Sequence, residues 1–272
     1  MPPLTKEQIP HVLSKSSSSS APGPNGISYL TWKRVNAINP SILLQILSQL
    51  VSLGHDLASL KGANRVVLDK PGKPSYKSTS SFRIIVLLGT VSKILERIIA
   101  ARLLLTACSR GLIHPNQCGF LPRLSTYDAC LTLMNHLKTL QRPRLKVSSL
   151  FLDFKAGFDN IDNPTLACIL REGGIPRYLG SWLASCLGER SCTLVFQGAP
   201  GTPAPVNFGV PQRSPISPLL FLIHVSPLHF RIPRGLRLSY VHDFALTAAF
   251  LSYRGNIHRL QELFRVIQAR AP

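Results

Sequence analysis

Acidic residues are scarce in this chain: twelve Asp and Glu stand against thirty-one Lys and Arg over 272 residues, a formal charge of +19. So large an excess of cations points to a polyanionic partner. Nucleic acid fits better than a membrane surface, because no basic amphipathic helix with an aromatic face accompanies the charge. Long hydrophobic runs are also missing. The longest, around Pro218 to Val225, falls short of the roughly 18 residues of a membrane span, and the N-terminus lacks a signal-peptide pattern. The expectation is a chain that is not secreted and works in nucleus or cytoplasm. Cys108, Cys118, Cys130, Cys168, Cys186 and Cys192 include no CxxC pair, which argues against a disulfide framework and predicts reduced core residues. A zinc site from Cys108, His114 and Cys118 matches no familiar ligand spacing. An apolar content of 45% predicts a globular protein with one large core or two modest ones.

With so few carboxylates, those set against apolar sequence stand out. Asp153 follows Val147-Ser148-Ser149-Leu150-Phe151-Leu152 and precedes Phe154. A charge at the end of an apolar strand is costly to bury, so a cation is expected to meet it. Tyr240-Val241-His242-Asp243 is a second such place. The runs Gly235 to Ser239 and Phe244 to Thr247 read as two strands of a hairpin with the His-Asp pair at the bend, a geometry that suggests a reactive centre.

Ser14 to Ser20 is low in complexity, so residues 1–20 are expected to be mobile and the folded domain to begin near residue 21. Helices are predicted from Pro40 to Gly54, with Ile42, Leu43, Ile46, Leu47 and Leu50 on one face, and from Ser92 to Arg110. On that second helix Lys93, Arg97 and Arg102 lie opposite the apolar stripe. Further helices run from Ser125 or Thr126 to Leu140, from Asn163-Pro164 to Arg171, from Pro176 to Gly188 and from Arg254 to Ala269. Asn64 to Leu68 reads as a short strand leading into a rigid basic loop. Ser191 to Gln197 and Val206 to Phe208 read as a hairpin around a Gly/Pro-rich turn. Irregular alternation of helix and strand favours α+β over a doubly wound sheet.

Several segments recur in a known order. Lys70-Pro71-Gly72-Lys73-Pro74 and Phe82-Arg83-Ile84-Ile85 resemble KPGK and (Y/F)RPI elements. Asn116 to Phe120 resembles a QxGF element, and Phe151 to Lys155 with Phe158-Asp159 a first catalytic-aspartate motif. Gly209 to Pro218 resembles GxPQGSPxSP, and Tyr240 to Asp243 a YxDD box. Each is weak alone; in this order they resemble the reverse transcriptase domain of non-LTR (LINE-type) retrotransposons, from about residue 21 to the C-terminus. The resemblance implies right-hand polymerase fingers and palm, with a small antiparallel palm sheet packed on helices. No thumb is expected after the last helix, so the domain (21–272) reads as C-terminally incomplete.

The resemblance also implies nucleotidyl transfer onto the 3′-hydroxyl of a DNA primer, with an RNA template and deoxynucleotide triphosphates as partners. Two Mg²⁺ ions, or Mn²⁺ in their place, are expected on Asp153 and Asp243. Lys70 and Arg83 would contact the triphosphate, Phe158 would pack under the sugar and disfavour a 2′-hydroxyl, and Gln212 would touch the incoming nucleotide.

Departures from the family pattern fall at chemically sensitive places. His242 replaces the first aspartate of the box, removing a negative charge and offering a nitrogen less suited to Mg²⁺. Arg213 stands where the family has glycine, Ala156-Gly157 inverts a Gly-Ala or Gly-Gly pair, Ile84 replaces a proline, and Leu121 to Ser125 scrambles RPGRS. Together they predict impaired catalysis at Asp153, His242 and Asp243. The alternatives are a non-catalytic nucleic-acid-binding remnant of a retroelement, or an unrelated metal-dependent hydrolase using the same three residues.

Overall fold

A computed structural model of the chain describes residues 1–232 and 237–269. Among these residues the fold is mixed α+β. Its helices are α1 (Gln8–Ser14), α2 (Tyr29–Ile38), α3 (Pro40–Leu53), α4 (Thr90–Ser109), α5 (Thr126–Leu140), α6 (Asn163–Glu172), α7 (Arg177–Leu187), α8 (Ser217–Arg231) and α9 (Tyr253–Gln268). The strands are β1 (Gly62–Asp69), β2 (Phe82–Leu88), β3 (Gln117–Cys118), β4 (Lys146–Asp153), β5 (Arg190–Phe196), β6 (Ala199–Val206), β7 (Arg237–Tyr240) and β8 (Asp243–Phe250). They form two four-stranded sheets, ordered β2-β1-β5-β6 and β3-β7-β8-β4.

Caps and turns explain most boundaries. Asn39 accepts the Ser41 amide at the start of α3, and Gly54 ends that helix at φ +70°, a conformation that suits glycine. Ser125 and Asp128 form a capping box on α5. Asp162 rather than Asn163 caps α6, accepting the Thr165 amide at 2.8 Å. On α3 the buried stripe is Leu43, Leu47, Leu50 and Val51, while Ile42 and Ile46 are exposed. The expected face was therefore drawn too wide.

Three further expectations need correction. The hairpin after α7 turns at Gln197-Gly198, with φ of +50° and +82°, and the proline-rich segment taken for its turn is the strand β6. Pro203 and Pro205 lie opposite Thr193 and Ser191; they are accommodated because β6 is a sheet edge with no outer neighbour to receive an N–H. The second sheet is not wholly antiparallel. β3 runs parallel to β7, joined by Ser239 N–H to Asn116 O and Val241 N–H to Cys118 O, both 3.0 Å. Packing also begins before residue 21. Ile9, Val12 and Leu13 are buried in the main core, Lys33 donates to Ser16 O and the Ser18 hydroxyl at 2.7 and 3.0 Å, and Arg102 donates to Pro2 and Pro3 carbonyls. The apolar spacing on α1 is too short to stand out beside the serine tract.

The main core joins α1, α3, α4, α6, α7 and α8 around Trp182, Phe221 and Ile94, and Val241 of the β7–β8 turn belongs to it. A second cluster packs α9 and the end of α8 on Phe244, Leu246 and Ala248 of β8. The six cysteines are free; Cys118 and Cys186 are buried, but Cys108 and Cys130 are exposed, so only part of the set is core. Among the described residues no helix is long and apolar enough to cross a membrane.

Candidate active site

The β7–β8 hairpin turns through Val241-His242, with Tyr240 paired to Asp243. Gly235 and Leu236, assigned by sequence to its first strand, lie outside the described residues. Val241 sits at φ +56° and is only 5% exposed. A β-branched residue in that region is strained, and burial in the main core compensates. Gly119 makes the room: a Cβ there would lie 2.6 Å from Val241 Cγ2. The QxGF-like segment thus holds the box from beneath.

On the other side β4 pairs with β8, Asp153 directly opposite Asp243, and the Phe154 amide donates to His242 O at 3.2 Å. Asp153, His242 and Asp243 bring one ligand atom each within 4.8 Å of one another. Both aspartates are exposed, so the burial expected for Asp153, and the counter-cation that burial would demand, are corrected. Like charges directly opposite on neighbouring strands repel, and a divalent cation would convert that repulsion into binding. Cys108, His114 and Cys118 form no such cluster among the described residues.

The other expected site residues fall in several places. Phe158 is half-buried between Phe120 and Phe221, ring centroids 6.4 and 5.3 Å away. Gln212 donates from Nε2 to Asp159 Oδ2 at 2.7 Å. Lys70 begins the loop between β1 and β2, which closes through its amide to Ser81 O and the Tyr76 hydroxyl to its own carbonyl, both 2.9 Å. Arg83 is exposed on β2 opposite Leu68. Strand alternation puts it on the face opposite Ile84 and Val86. Those two line a cleft of about 430 Å³ with Arg65, Asp159 and Gln212. The cation that shares a cleft with Gln212 is therefore Arg65, which the sequence offered only as a charge inside an apolar strand.

The turn carrying Gln212 is anchored at both ends. Gly209 N–H and Val210 N–H donate to Ile161 O and Phe158 O at 3.1 and 2.8 Å, and Arg190 donates to the Phe208 and Gly209 carbonyls at 2.9 and 2.6 Å. At the far end the Ser214 hydroxyl donates to Glu96 Oε2, and Ser214 Oγ accepts the Ile216 amide. Glu96 is 4% exposed; burial raises its pKa to about 7, partly offset by the Ser214 bond. Sequence reasoning passed over it, yet Ser92, Glu96, Ile99 and Leu103 fall at helical spacing on one stripe, a signal that a carboxyl enters the core.

The departures from the family pattern acquire a common physical meaning here. Arg123, Ala156 and Arg213 occupy the family's glycine positions and have φ of +66°, +53° and +66°. Positive φ is the conformation glycine suits best, so side chains at these three positions hold a backbone that favours glycine. Gly157, the displaced partner of Ala156, lies where a Cβ would meet Phe221 Cε2 at 2.8 Å. Left-handed geometry costs a side-chain-bearing residue about 1–2 kcal/mol, of which glycine's greater unfolded-state freedom returns about 0.4–1 kcal/mol. Restoring all three glycines should add about 2 kcal/mol and raise the melting temperature by roughly 5 °C. A thermal melt of Arg123→Gly/Ala156→Gly/Arg213→Gly at or below the parent's would refute this account.

Two facing carboxylates at a strand end and hairpin turn, over a helical core, define a candidate metal-dependent centre in an α+β fold. Residues 69–271 match the family model described as reverse transcriptase (RNA-dependent DNA polymerase), and the chain belongs to that family. It is 28% identical over 222 residues to the probable RNA-directed DNA polymerase from transposon X-element of Drosophila melanogaster, covering 82% of this chain and 24% of that protein. It is 26% identical over 231 residues to the RNA-directed DNA polymerase from mobile element jockey of the same organism, covering 85% and 25%. With the Pol polyprotein from type-1 retrotransposable element R2 of Popillia japonica it shares 24% identity over 220 residues, covering 80% and 29%. The chain thus spans about a quarter of the length of the curated relatives it matches.

Proposed function

We propose that residues 21–272 are the fingers and palm of an RNA-directed DNA polymerase whose nucleotidyl-transfer centre is weakened by His242 and Arg213. The observation that carries the reading is the pairing of Asp153 with Asp243 beside His242 in a member of the reverse transcriptase family. The sheet of β1, β2, β5 and β6 is assigned to the fingers and that of β3, β4, β7 and β8 to the palm.

The donor set suits hard divalent cations: two exposed carboxylates can hold Mg²⁺ or Mn²⁺ from one side, and the imidazole is the poor member of the set. Asp153 and Asp243 would hold such ions, which would supply charge stabilisation for an attacking and a leaving oxygen. Gln212 is assigned to the incoming nucleotide and Phe158 to the sugar edge that a 2′-hydroxyl would crowd; Lys70 is assigned to the triphosphate together with Arg65, the cation of the Gln212 cleft, in place of Arg83 on the other face of β2. Template RNA and primer DNA are drawn by the +19 charge. Primer extension on an RNA template by His242→Asp/Arg213→Gly, abolished when Asp153→Asn is added, tests the assignment. Indistinguishable rates with and without Asp153→Asn would reject it.

His242 also favours a second reading, a nucleic-acid-binding remnant whose metal site is lost. Binding to an RNA–DNA duplex should then survive Asp153→Asn and weaken with salt, about tenfold or more between 50 and 200 mM if at least two phosphates are neutralised. A flat salt series in filter binding would contradict both readings.

A further inference from the structure

The buried polar group at Glu96 takes no part in the centre just described, yet it reaches the turn that carries Gln212. α4 supplies Glu96 from within the main core, and its carboxylate accepts the hydroxyl of Ser214, two residues after Gln212. Ser214 in turn accepts the Ile216 amide at 3.3 Å, where the chain enters α8. The opposite end of the turn is clamped by buried Arg190 on two carbonyls. Between the clamps Ser214 N–H closes the turn on Pro211 O at 3.2 Å, Gln212 donates to Asp159 Oδ2 at 2.7 Å, and Arg213 holds a left-handed conformation.

We infer that Glu96 is a positioning residue: through Ser214 its ionised carboxylate holds the 209–218 turn, and with it Gln212, in the arrangement that receives a nucleotide triphosphate. This inference rests on the nucleotide-site assignment made above. An ionised carboxylate accepts the serine hydroxyl in a charge-assisted bond, roughly twice as strong as the neutral pair. Once protonated, the carboxyl keeps an oxygen that can accept the serine hydroxyl only as a weaker neutral pair, and its own proton can turn to Ser214 Oγ in competition with the Ile216 amide.

The charged and titratable groups around Glu96 come from six elements. Lys93 and Arg97 share α4; Tyr29 lies on α2, Asp56 and Lys61 between α3 and β1, Cys186 on α7, Arg190 at the start of β5 and Arg213 on the 209–218 turn itself. Lys93 and Arg190 favour the carboxylate and Asp56 opposes it, while desolvation outweighs them and moves the titration up to about 7. The grip on the turn should therefore switch on as pH rises through neutrality.

The test measures binding of a fluorescent 3′-methylanthraniloyl deoxyadenosine triphosphate with Mg²⁺ at pH 6 and pH 8. The unaltered chain, Glu96→Gln and Ser214→Ala are compared, and hydrogen exchange of residues 209–216 is followed without nucleotide. The γ-phosphate's own titration is common to all three proteins, so the difference between them is what is read. From pH 6 to pH 8 the unaltered chain should gain about fivefold more affinity than either variant. The protection of its turn amides, taken relative to base-catalysed intrinsic exchange, should rise over the same range, and that of Glu96→Gln should not. Equal pH profiles in binding, or equal exchange of the turn in the unaltered chain and Glu96→Gln, would overturn the role of Glu96. Absence of binding by all three proteins, with the exchange difference intact, would instead overturn the nucleotide-site assignment and confine Glu96 to holding the turn.

Discussion

Replacing His242 by Asp, together with Arg213 by Gly, is expected to raise primer extension on an RNA template by about 10²–10³-fold. Charge sets the magnitude. Asp153 and Asp243 face one another across β4 and β8 with His242 at their side, ligand atoms within 4.8 Å. A third carboxylate about 4–5 Å from a dication would interact by roughly 2 kcal/mol in water and several times more as the site is screened from solvent. Much of that is spent on binding the ions, and about 3–4 kcal/mol remaining at the transition state corresponds to the stated range. Arg213→Gly contributes by relaxing the left-handed backbone beside Gln212. Extension by the unaltered chain as fast as by the double variant, in either Mg²⁺ or Mn²⁺, would show that His242 does not limit the centre.

Glu96→Gln is expected to stabilise the fold, and increasingly so as pH rises. A carboxyl whose folded pKa of about 7 lies above its ordinary 4.5 binds more protons folded than unfolded. Its contribution to stability is present below 4.5 and is lost as pH climbs through 7. The advantage of glutamine in urea unfolding should therefore grow from under about 1 kcal/mol at pH 5 to about 3 kcal/mol at pH 8. The comparison between variants is needed because His229 works the other way. Burial holds its pKa at about 3, so it stays neutral in the fold while the unfolded chain takes up a proton below its ordinary 6.5, and acid costs stability. A constant difference between the unaltered chain and Glu96→Gln from pH 5 to 8 would mean that the carboxyl does not titrate in this range. If the difference grows as expected, the charge that grips the 209–218 turn is also one that weakens the fold, a trade found where function needs a strained or charged group.

The expected stripe on α4 shows where local pattern stops being informative. Its periodicity named the helix and most of its apolar face, and Lys93, Arg97 and Arg102 as the other side. The spacing with Ser92, Ile99 and Leu103 could mark Glu96 as entering the core, but not its partner, because whether it meets Ser214 depends on what α8 and its entry turn bring opposite. The prolines of β6 failed for a related reason. Proline opposes strand formation wherever both edges are paired, and only the sheet order makes β6 an edge. Arg65 and Arg83 differ by strand parity, and parity assigns a face only once the face that meets Gln212 is known.

By itself the sequence determined the order of the motifs, the family they belong to and the two aspartates that remain at the centre, since these are carried by residue identity along the chain. It also marked the starts of α3 and α5, through the caps of Asn39 and Ser125 acting over two or three residues. Tertiary structure alone decided that Arg123, Ala156 and Arg213 take left-handed backbone and that Ile9, Val12 and Leu13 pack into the main core. It decided too that a buried glutamate reaches the turn beneath Gln212. Each of these depends on contacts between residues far apart in the chain, where burial and backbone conformation are set by the packed neighbours rather than by the local pattern.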